Sequence, residues 1–198
     1  MKVAALMLAA GQSKRFNGIK QLAEINGQPM LLHTLNHLTS SGELLDKLWE
    51  FNIILGAHAQ QIKHVLPSYV TPLQFIDWQE GMGASLAFGV KNVHSESSHL
   101  LVTLADQVGI RREHVETMLH HCAQAPGKII AARYDKVLGA PVIFPRCYFA
   151  QLLALDADTG ARKILQQHID DVVAVDISSA QYDIDTQVEL AAWRHSAD

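Results

Sequence analysis

One stretch constrains the fold of this chain more than any other: an apolar run that changes abruptly into a cationic loop. Residues 3–10 carry no charge and are too few for a free-standing buried helix, which favours a central parallel strand covered on both faces. Gly11 ends the run, and Lys14, Arg15 and Lys20 follow it. Backbone N–H groups of a tight turn bind phosphate oxygens, and open α/β sheets bind ligands at the carboxyl ends of strands. We therefore expect a phosphate-binding loop here, with a solvated basic loop as the alternative.

The composition of the chain limits its partners and its compartment. Its 198 residues, 48% hydrophobic and 18% charged, fit a single globular domain with a substantial core. A formal net charge of −4 argues against nucleic acid and favours small phosphorylated ligands held by a local cationic cluster. Two cysteines match neither a disulfide framework nor a zinc spacing, so we expect a reducing, cytoplasmic compartment, with a short secretory signal at residues 1–11 as the alternative. No other run approaches ~18 apolar residues, and we expect no membrane span.

Strand-like and helix-like segments alternate along the rest of the chain. Strands are predicted at residues 51–57, 73–77, 99–106, 128–133 and 141–144. Helices are predicted from Pro29 toward residue 42, from Ala59 to Leu66 and from Arg111 to Cys122. This rhythm favours right-handed β-α-β units, so we expect an α/β fold, a three-layer sandwich around a mixed, mainly parallel sheet.

Two histidines, His33 and His37, lie one turn apart on the first predicted helix. That spacing is compatible with a metal site, but the zinc-protease pattern requires Glu directly after the first His, and Thr34 stands there. We interpret the pair as part of a solvated helix face.

A second Gly-rich stretch, residues 81–85, precedes a predicted helix and allows several interpretations. A dinucleotide-binding loop would need Gly where Leu86 stands, and a hydrolase nucleophile elbow would need Gly where Ala87 stands. Gly81 and Gly83 would also let the backbone approach a flat base, while Ser85 offers a hydroxyl at a helix start. A Ser-capped turn without a ligand explains the same residues.

Carboxylates follow two extended segments in the second half of the chain. Asp106 ends a buried strand and is the best single candidate for a metal ligand, because a strand tip aims its last side chain into the crevice where the cationic loop opens. A cap on the next helix is the alternative. Alternation places Asp183 and Asp185 on the same side of a later extended segment.

Several motifs, in order along the chain, resemble those of the molybdenum cofactor cytidylyltransferases and their guanylyltransferase relatives. The resemblance runs from Ala4 to about Leu190, and the matching segments are residues 8–21, 81–86, 106–108, 139–144, 157–162 and 183–186. Four residues depart from the family's usual Met, Gly, Pro and Gly: Phe16, Asn17, Val108 and Ala157.

The resemblance implies a role for specific positions. Its Rossmann-like nucleotidyltransferase fold would bind the nucleotide with the N-terminal half and the acceptor with the C-terminal half. The nucleotide-binding residues would be Leu8, Ala9, Ala10, Gly11, Gly81, Met82, Gly83 and Ser85. The acceptor-binding residues would be Gly139, Pro141, Arg162 and Asp183, and the catalytic residues Arg15, Lys20 and Asp106. Asp106 and Asp185 would converge on one Mg²⁺ or Mn²⁺, ions that prefer one or two carboxylates completed by waters and phosphates.

The reaction implied by the resemblance is transfer of CMP from CTP to molybdopterin cofactor, with release of pyrophosphate. We expect cytosine because the guanine-using relatives tend to carry Gly where Ala10 stands. A molybdoenzyme that receives the cofactor is a further candidate partner. The alternatives are a cytidylyl-, guanylyl- or uridylyltransferase acting on another small-molecule phosphate, and a catalytically silent cofactor-binding protein.

Overall fold

A seven-stranded sheet forms the middle layer and confirms the predicted α/β architecture. The computed structural model of the chain describes residues 1–40, 43–157 and 160–196. The strands are β1 (Val3–Ala9), β2 (Glu24–Ile25), β3 (Gln28–Pro29), β4 (Thr39–Ser40), β5 (Glu43–Leu44), β6 (Leu48–Leu55), β7 (Thr71–Gln74), β8 (His99–Leu104), β9 (Ile129–Tyr134), β10 (Val137–Pro145) and β11 (Val172–Asp176). The helices are α1 (Met30–Leu35), α2 (Ala59–Lys63), α3 (Met82–Lys91), α4 (Arg112–Gln124), α5 (Phe149–Leu153), α6 (Arg162–Gln167) and α7 (Gln187–Ser196). None of the helices in these ranges is long and apolar enough to cross a membrane.

The order of strands in this sheet is β11-β9-β10-β8-β1-β6-β7. Strand β10 runs antiparallel to both of its neighbours, whereas the other adjacent pairs are parallel. The sheet is therefore mixed and mainly parallel, as predicted. Because β1, β6 and β8 run the same way, the loops that follow them open at one edge of the sheet, where ligands of such folds bind.

Strand β1 is buried on both faces, as its uncharged sequence predicts. Val3, Ala5 and Met7 belong to the core on one face, and Ala4 and Leu6 belong to the core on the other. Helices α1, α2 and α4 contribute to the first core, and α3, α5 and α6 contribute to the second. This alternation of side chains gives the predicted three layers, and the strand order places the end of β1 between the ends of β8 and β6.

A third, smaller apolar cluster lies between the cationic loop and the C-terminal helix. Phe16 from the loop packs with Met30, Val108, Ile184 and Leu190, and all five side chains are buried. Phe16 and Val108 are two of the four departures from the family letters, and the cluster gives both an apolar environment. Through Leu190, α7 therefore helps to fix the position of the loop.

Several boundaries differ from the prediction. Strand β7 begins at Thr71 and ends at Gln74. The chain turns away after Phe75, whose N–H still donates to the Leu55 carbonyl oxygen at 2.9 Å and whose ring stacks on Phe88 with centroids 4.9 Å apart. Helix α1 ends at Leu35 and continues as a 3-10 turn, since the chain then pairs as the short hairpin of β4 and β5. Residues 41 and 42 of the predicted helix lie outside the described ranges.

The interpretation of His33 and His37 as a solvated face is wrong. Both rings are half-buried and meet edge to face with centroids 5.3 Å apart, and Nε2 of His33 lies 3.3 Å from the carbonyl oxygen of Val108. Burial, followed by the charges of His33, Arg111, Arg112 and His114, lowers the pKa of His37 to about 4. The fold thus holds His37 in its neutral form at neutral pH.

Mild acid should destabilise the protein through His37. Its pKa is about 4 in the folded chain against an ordinary value of 6.5, so the unfolded chain binds more protons between these values. The free energy of unfolding should fall as the pH drops through this window, and His37→Gln should flatten the fall. Urea unfolding at pH 4.5 to 7 measures it, with His120→Gln, exposed on α4, as a control that keeps the wild-type dependence. Equal pH dependence in wild type and His37→Gln would contradict this assignment.

Candidate active site

A cavity of about 530 Å³ opens at the edge of the sheet where β1 and β8 end. Its size is in the usual range for sites that hold a small ligand. Of the residues predicted for the nucleotide and for catalysis, those that line it are Leu8, Ala9, Ala10, Gly11, Arg15, Lys20, Gly81, Met82, Ser85, Asp106 and Asp185. The two predicted regions, 8–20 and 81–85, therefore face one space although about 60 residues separate them along the chain.

The acceptor-side residues occupy other positions. Gly139 and Pro141 lie in β10, Arg162 is exposed at the start of α6, and none of them lines this cavity, nor does Asp183. Gly83 is also set back from the cavity, since its N–H donates to the carbonyl oxygen of Ala157 at 2.9 Å.

The cavity is also lined by residues that the sequence did not single out. These are Gln12, Ser13, Gln21, Met30, Trp78, Gln79, Leu104 and Ala105, while Lys14 of the predicted phosphate-binding loop lines the cavity as well. Gln12, Ser13, Gln21 and Ala105 directly adjoin predicted residues along the chain, whereas the fold brings the other four to the cavity. The bulky side chain of Trp78 forms one wall of the cavity and packs on Gly56. A Cβ at Gly56 would lie 2.7 Å from the Trp78 Cβ and 2.3 Å from the Ala10 carbonyl oxygen.

An ionic cluster joins the cationic loop to both predicted metal ligands. The Lys20 ammonium donates to Oδ2 of Asp106 at 2.7 Å and to Oδ1 of Asp185 at 2.8 Å. Arg15 donates to the other oxygen of Asp185 at 2.5 Å. The two carboxylates thus share one nitrogen, as expected of residues that converge on one point. The helix-cap interpretation of Asp106 is wrong. Helix α4 begins six residues later, at Arg112, and the Asp106 carboxylate accepts from Lys20 instead.

Backbone pairing holds the two carboxylates together. Gln107 and Asp183 form an isolated antiparallel bridge, and the N–H of Ile184 donates to the carbonyl oxygen of Asp106 at 3.1 Å. The buried Gln107 amide donates to the carbonyl oxygens of Ala140 and Ala180 at 3.0 and 2.9 Å. This side chain therefore ties the end of β8 to β10 and to the segment that leads to Asp185.

The charges in the cluster shift one another's proton affinity. Burial alone would lower the pKa of Lys20, but Asp106 and Asp185 raise it above its ordinary value. Burial also works against ionisation of Asp185, yet Lys20 and Arg15 hold the pKa of that carboxyl below its usual value. Burial and then the charge of Asp106 raise the pKa of the neighbouring Asp183. Lys20 and Asp185 are therefore charged at neutral pH.

A buried glutamine fixes the start of the loop. The Gln21 amide nitrogen donates to the carbonyl oxygens of Ala9 and Gly11 at 3.1 and 3.2 Å, and its oxygen accepts from the Ser13 hydroxyl at 3.4 Å. Asn17 has φ +54°, a left-handed conformation that Asn tolerates better than most residues. The loop thus keeps a turn that Gly would also adopt, and Asn17 does not disrupt it.

The other departures from the family letters are accommodated as well. The N–H of Val108 donates to the carbonyl oxygen of Asp106 at 3.0 Å, a bond that Pro could not make, so the turn after Asp106 is held without Pro. Ala157 has φ +33°, a conformation favoured by Gly. Its carbonyl oxygen accepts a hydrogen bond from the N–H of Gly83 at the start of α3. Asp158 and Thr159 of this predicted loop lie outside the described residues.

The Gly-rich turn before α3 is built for close approach. Gly81 has φ +107°, which L side chains rarely adopt, so Gly is required at this wall of the cavity. Ser85 is buried one turn into α3, where its hydroxyl donates to the carbonyl oxygen of Gly81 at 3.0 Å. The side chain therefore braces the turn rather than capping the helix.

The donor set suits a hard divalent cation. The side chains of Asp106 and Asp185 are 25% and 29% exposed and face the cavity, so their oxygens are accessible to an ion that also contacts a bound phosphate. Within residues 1–40, 43–157 and 160–196 no group of three or more His, Cys, Asp or Glu is placed to hold a metal. Two carboxylates match Mg²⁺ or Mn²⁺, which take remaining ligands from water and phosphate, better than Zn²⁺.

Comparison with known proteins gives a family. The profile of the MobA-like NTP transferase domain matches residues 5–172. A probable molybdenum cofactor guanylyltransferase of Pyrococcus horikoshii is 53% identical over 62 residues, which cover 31% of this chain and 30% of that protein's length.

Solved structures share the fold over nearly the whole chain. A nucleotidyl transferase of Methanothermobacter thermautotroptrophicus has a TM-score of 0.81 at 16% identity, covering 98% of this chain and 97% of that one. Rv0371C of Mycobacterium tuberculosis in complex with manganese has a TM-score of 0.77 at 23% identity, covering 99% and 100%. At such identities the likeness concerns the fold alone, which is the Rossmann-like nucleotidyltransferase fold.

Replacing Gln21 should loosen the loop measurably. Gln21→Met keeps the length of the side chain but leaves the carbonyl oxygens of Ala9 and Gly11 without their donor, which should cost about 1–3 kcal/mol of unfolding free energy. Gln124→Met, on the exposed face of α4, should stay within about 0.5 kcal/mol of wild type. Denaturant unfolding of the three proteins compares them, and equal stability of Gln21→Met and Gln124→Met would show that Gln21 does not clamp the loop.

Proposed function

Because this chain belongs to the MobA-like NTP transferase family, we propose that it transfers the nucleoside monophosphate of a nucleoside triphosphate to a small phosphorylated acceptor and releases pyrophosphate. One observation carries this proposal: Lys20, Arg15, Asp106 and Asp185 converge on the wall of a cavity at the carboxyl end of β1. Cations for a triphosphate and carboxylates for a divalent metal are the groups that such a transfer needs.

The proposed reaction is a single displacement at phosphorus. An oxygen of the acceptor's terminal phosphate attacks the α-phosphorus, and the bond from that phosphorus to the bridging oxygen breaks. Pyrophosphate leaves with the bonding electrons, so no protein nucleophile is required. Catalysis then rests on positioning and on stabilisation of charge.

Each group at the cavity has a role in that displacement. Backbone N–H groups after Gly11 bind phosphate oxygens, and Arg15 and Lys20 neutralise charge on the triphosphate and on the leaving pyrophosphate. Asp106 and Asp185 would hold Mg²⁺ or Mn²⁺, which neutralises phosphate charge when bound. The manganese bound by the Mycobacterium tuberculosis protein of the same fold supports this choice of ion.

We further propose CTP as the nucleotide and molybdopterin cofactor as the acceptor. Ala10 lines the cavity and lies in the same apolar cluster as Trp78, so its methyl group would narrow the space available to a base bound there. The guanylyltransferase name of the Pyrococcus relative supports the acceptor and favours GTP as the competing candidate for the nucleotide.

We assign the acceptor to the C-terminal half of a single domain spanning residues 1–198. Gly139 and Pro141 flank Ala140, whose carbonyl oxygen accepts a hydrogen bond from the Gln107 side chain. Because Gln107 directly follows Asp106, this bond links residues 139–141 to the residue next to Asp106. A Cβ at Gly139 would lie 2.5 Å from the Tyr134 hydroxyl, so a larger residue there would have to displace the Tyr134 side chain. Arg162 and Asp183 complete the proposed acceptor side, Arg162 as an exposed charge for an anionic group.

A catalytically silent cofactor-binding protein is the weaker alternative. It was suggested by Asn17, Val108 and Ala157, but the structure accommodates each of them without displacing Lys20 or Asp106. A molybdoenzyme as recipient and a cytoplasmic location remain predictions.

Pyrophosphate release tests the proposed activity. Purified protein with CTP, molybdopterin cofactor and Mg²⁺ should release pyrophosphate, and chelation of the metal should stop it. Arg15→Ala and Lys20→Ala should each reduce turnover by roughly 10²-fold, the scale of losing one preorganised charge-stabilising donor. Lys91→Ala, an exposed residue of α3 away from the cavity, should keep wild-type turnover. Near-normal turnover of Lys20→Ala at saturating CTP would mean that the loop does not serve the triphosphate.

The choice of base has its own test. The protein should bind CTP more tightly than GTP, because the Ala10 methyl restricts a purine, and Ala10→Gly should narrow this preference by about 10-fold, the effect of one methyl-sized group in a pocket. Equilibrium titration with both nucleotides, in the presence of Mg²⁺, measures the ratio. Tighter binding of GTP by the wild type would overturn the cytidylyl assignment and leave the nucleotidyl transfer in place.

A further inference from the structure

Lys20 occupies the point at which both proposed metal ligands meet. Its ammonium lies within 2.8 Å of an oxygen from Asp106 and an oxygen from Asp185, and its side chain is only 12% exposed. The oxygens that would hold a divalent cation are therefore already paired with a charge supplied by the chain. The residue expected to neutralise the triphosphate is the one that now neutralises the metal ligands.

We propose that Lys20 is an internal counter-ion that competes with the divalent cation for Asp106 and Asp185. The cation then gains both carboxylates only when a bound triphosphate offers Lys20 new partners. This inference rests on the proposed function and adds to it a coupling between binding of metal and binding of nucleotide, mediated by one side chain.

Charge balance is the physical reason for the competition. Asp106 and Asp185 together carry two negative charges, and Lys20 and Arg15 already contribute two positive ones. A divalent ion added to the same oxygens, with Lys20 still in place, would bring cations into close mutual repulsion in a partly buried site. A bound triphosphate reverses this balance. Its oxygens accept hydrogen bonds from the Lys20 ammonium, which leaves the two carboxylates free to bind the metal. Affinities linked in this way change reciprocally.

The second lysine of the loop provides a contrast. Lys14 lines the same cavity and is exposed, and within the part of the chain that the structure describes it makes no ion pair or side-chain hydrogen bond. It can meet a phosphate without giving up a partner. Lys14 and Lys20 are thus two cations of one loop, of which only Lys20 blocks the carboxylates.

Titration with Mn²⁺ alone, followed by electron paramagnetic resonance of the free ion, tests the competition. The wild-type protein should bind Mn²⁺ weakly, whereas Lys20→Met should bind it about tenfold or more tightly, a coupling of ordinary size for two linked ligands. Lys14→Met should match the wild type. Adding Asp185→Asn to Lys20→Met should remove the gain, which locates the ion at the two carboxylates.

The outcomes separate this inference from the proposed function, because the titration contains neither nucleotide nor acceptor. Equal or weaker Mn²⁺ binding by Lys20→Met than by wild type would overturn the competition, whatever the pyrophosphate assay gives. If the wild type releases no pyrophosphate in the assay with CTP, acceptor and Mg²⁺, while Lys20→Met binds Mn²⁺ more tightly than the wild type, the competition stands and the proposed reaction is rejected. Should Lys20→Met fail to fold, Lys20→Gln, which keeps a hydrogen-bond donor without charge, gives the same comparison.

Discussion

The contact of one ammonium with two carboxylates is the interaction on which the site depends. Lys20 comes from the loop after β1, Asp106 from the end of β8, and Asp185 from the segment before α7. Like charges at Asp106 and Asp185 would repel each other without a cation between them. The Lys20 ammonium offsets this repulsion, and the same position suits a metal ion or a partner for a triphosphate.

The rest of the fold brings these three segments together. Parallel strands open their following loops at one edge of the sheet, and the apolar cluster around Phe16 packs the cationic loop against α7. Two buried amides hold the backbone: Gln21 at the start of the loop and Gln107 beside Asp106. Because each amide donates to two carbonyl oxygens, the charged side chains are carried on a backbone that has little freedom to separate them.

Sequence patterns predicted the elements that depend on periodicity and on position at a strand end. The uncharged run of β1 and the carboxylate after β8 followed from such patterns, whereas the convergence of Asp106 with Asp185 was implied by the family resemblance. Burial of His37 could not be predicted, because it results from packing against the start of α4, which is remote in sequence. The clamp made by Gln21 and the wall made by Trp78 also depend on tertiary contacts of single residues, which leave no periodic signal.

The fate of each phosphate of the nucleotide distinguishes nucleotidyl transfer at the cavity from other reactions of a nucleoside triphosphate. With CTP labelled by ³²P at the α-phosphate, and in a parallel reaction at the γ-phosphate, the products of reaction with molybdopterin cofactor and Mg²⁺ are separated. Nucleotidyl transfer should move the α-label to the acceptor and release the γ-label in pyrophosphate. Release of the γ-label as inorganic phosphate, with the α-label retained in CDP, would contradict it.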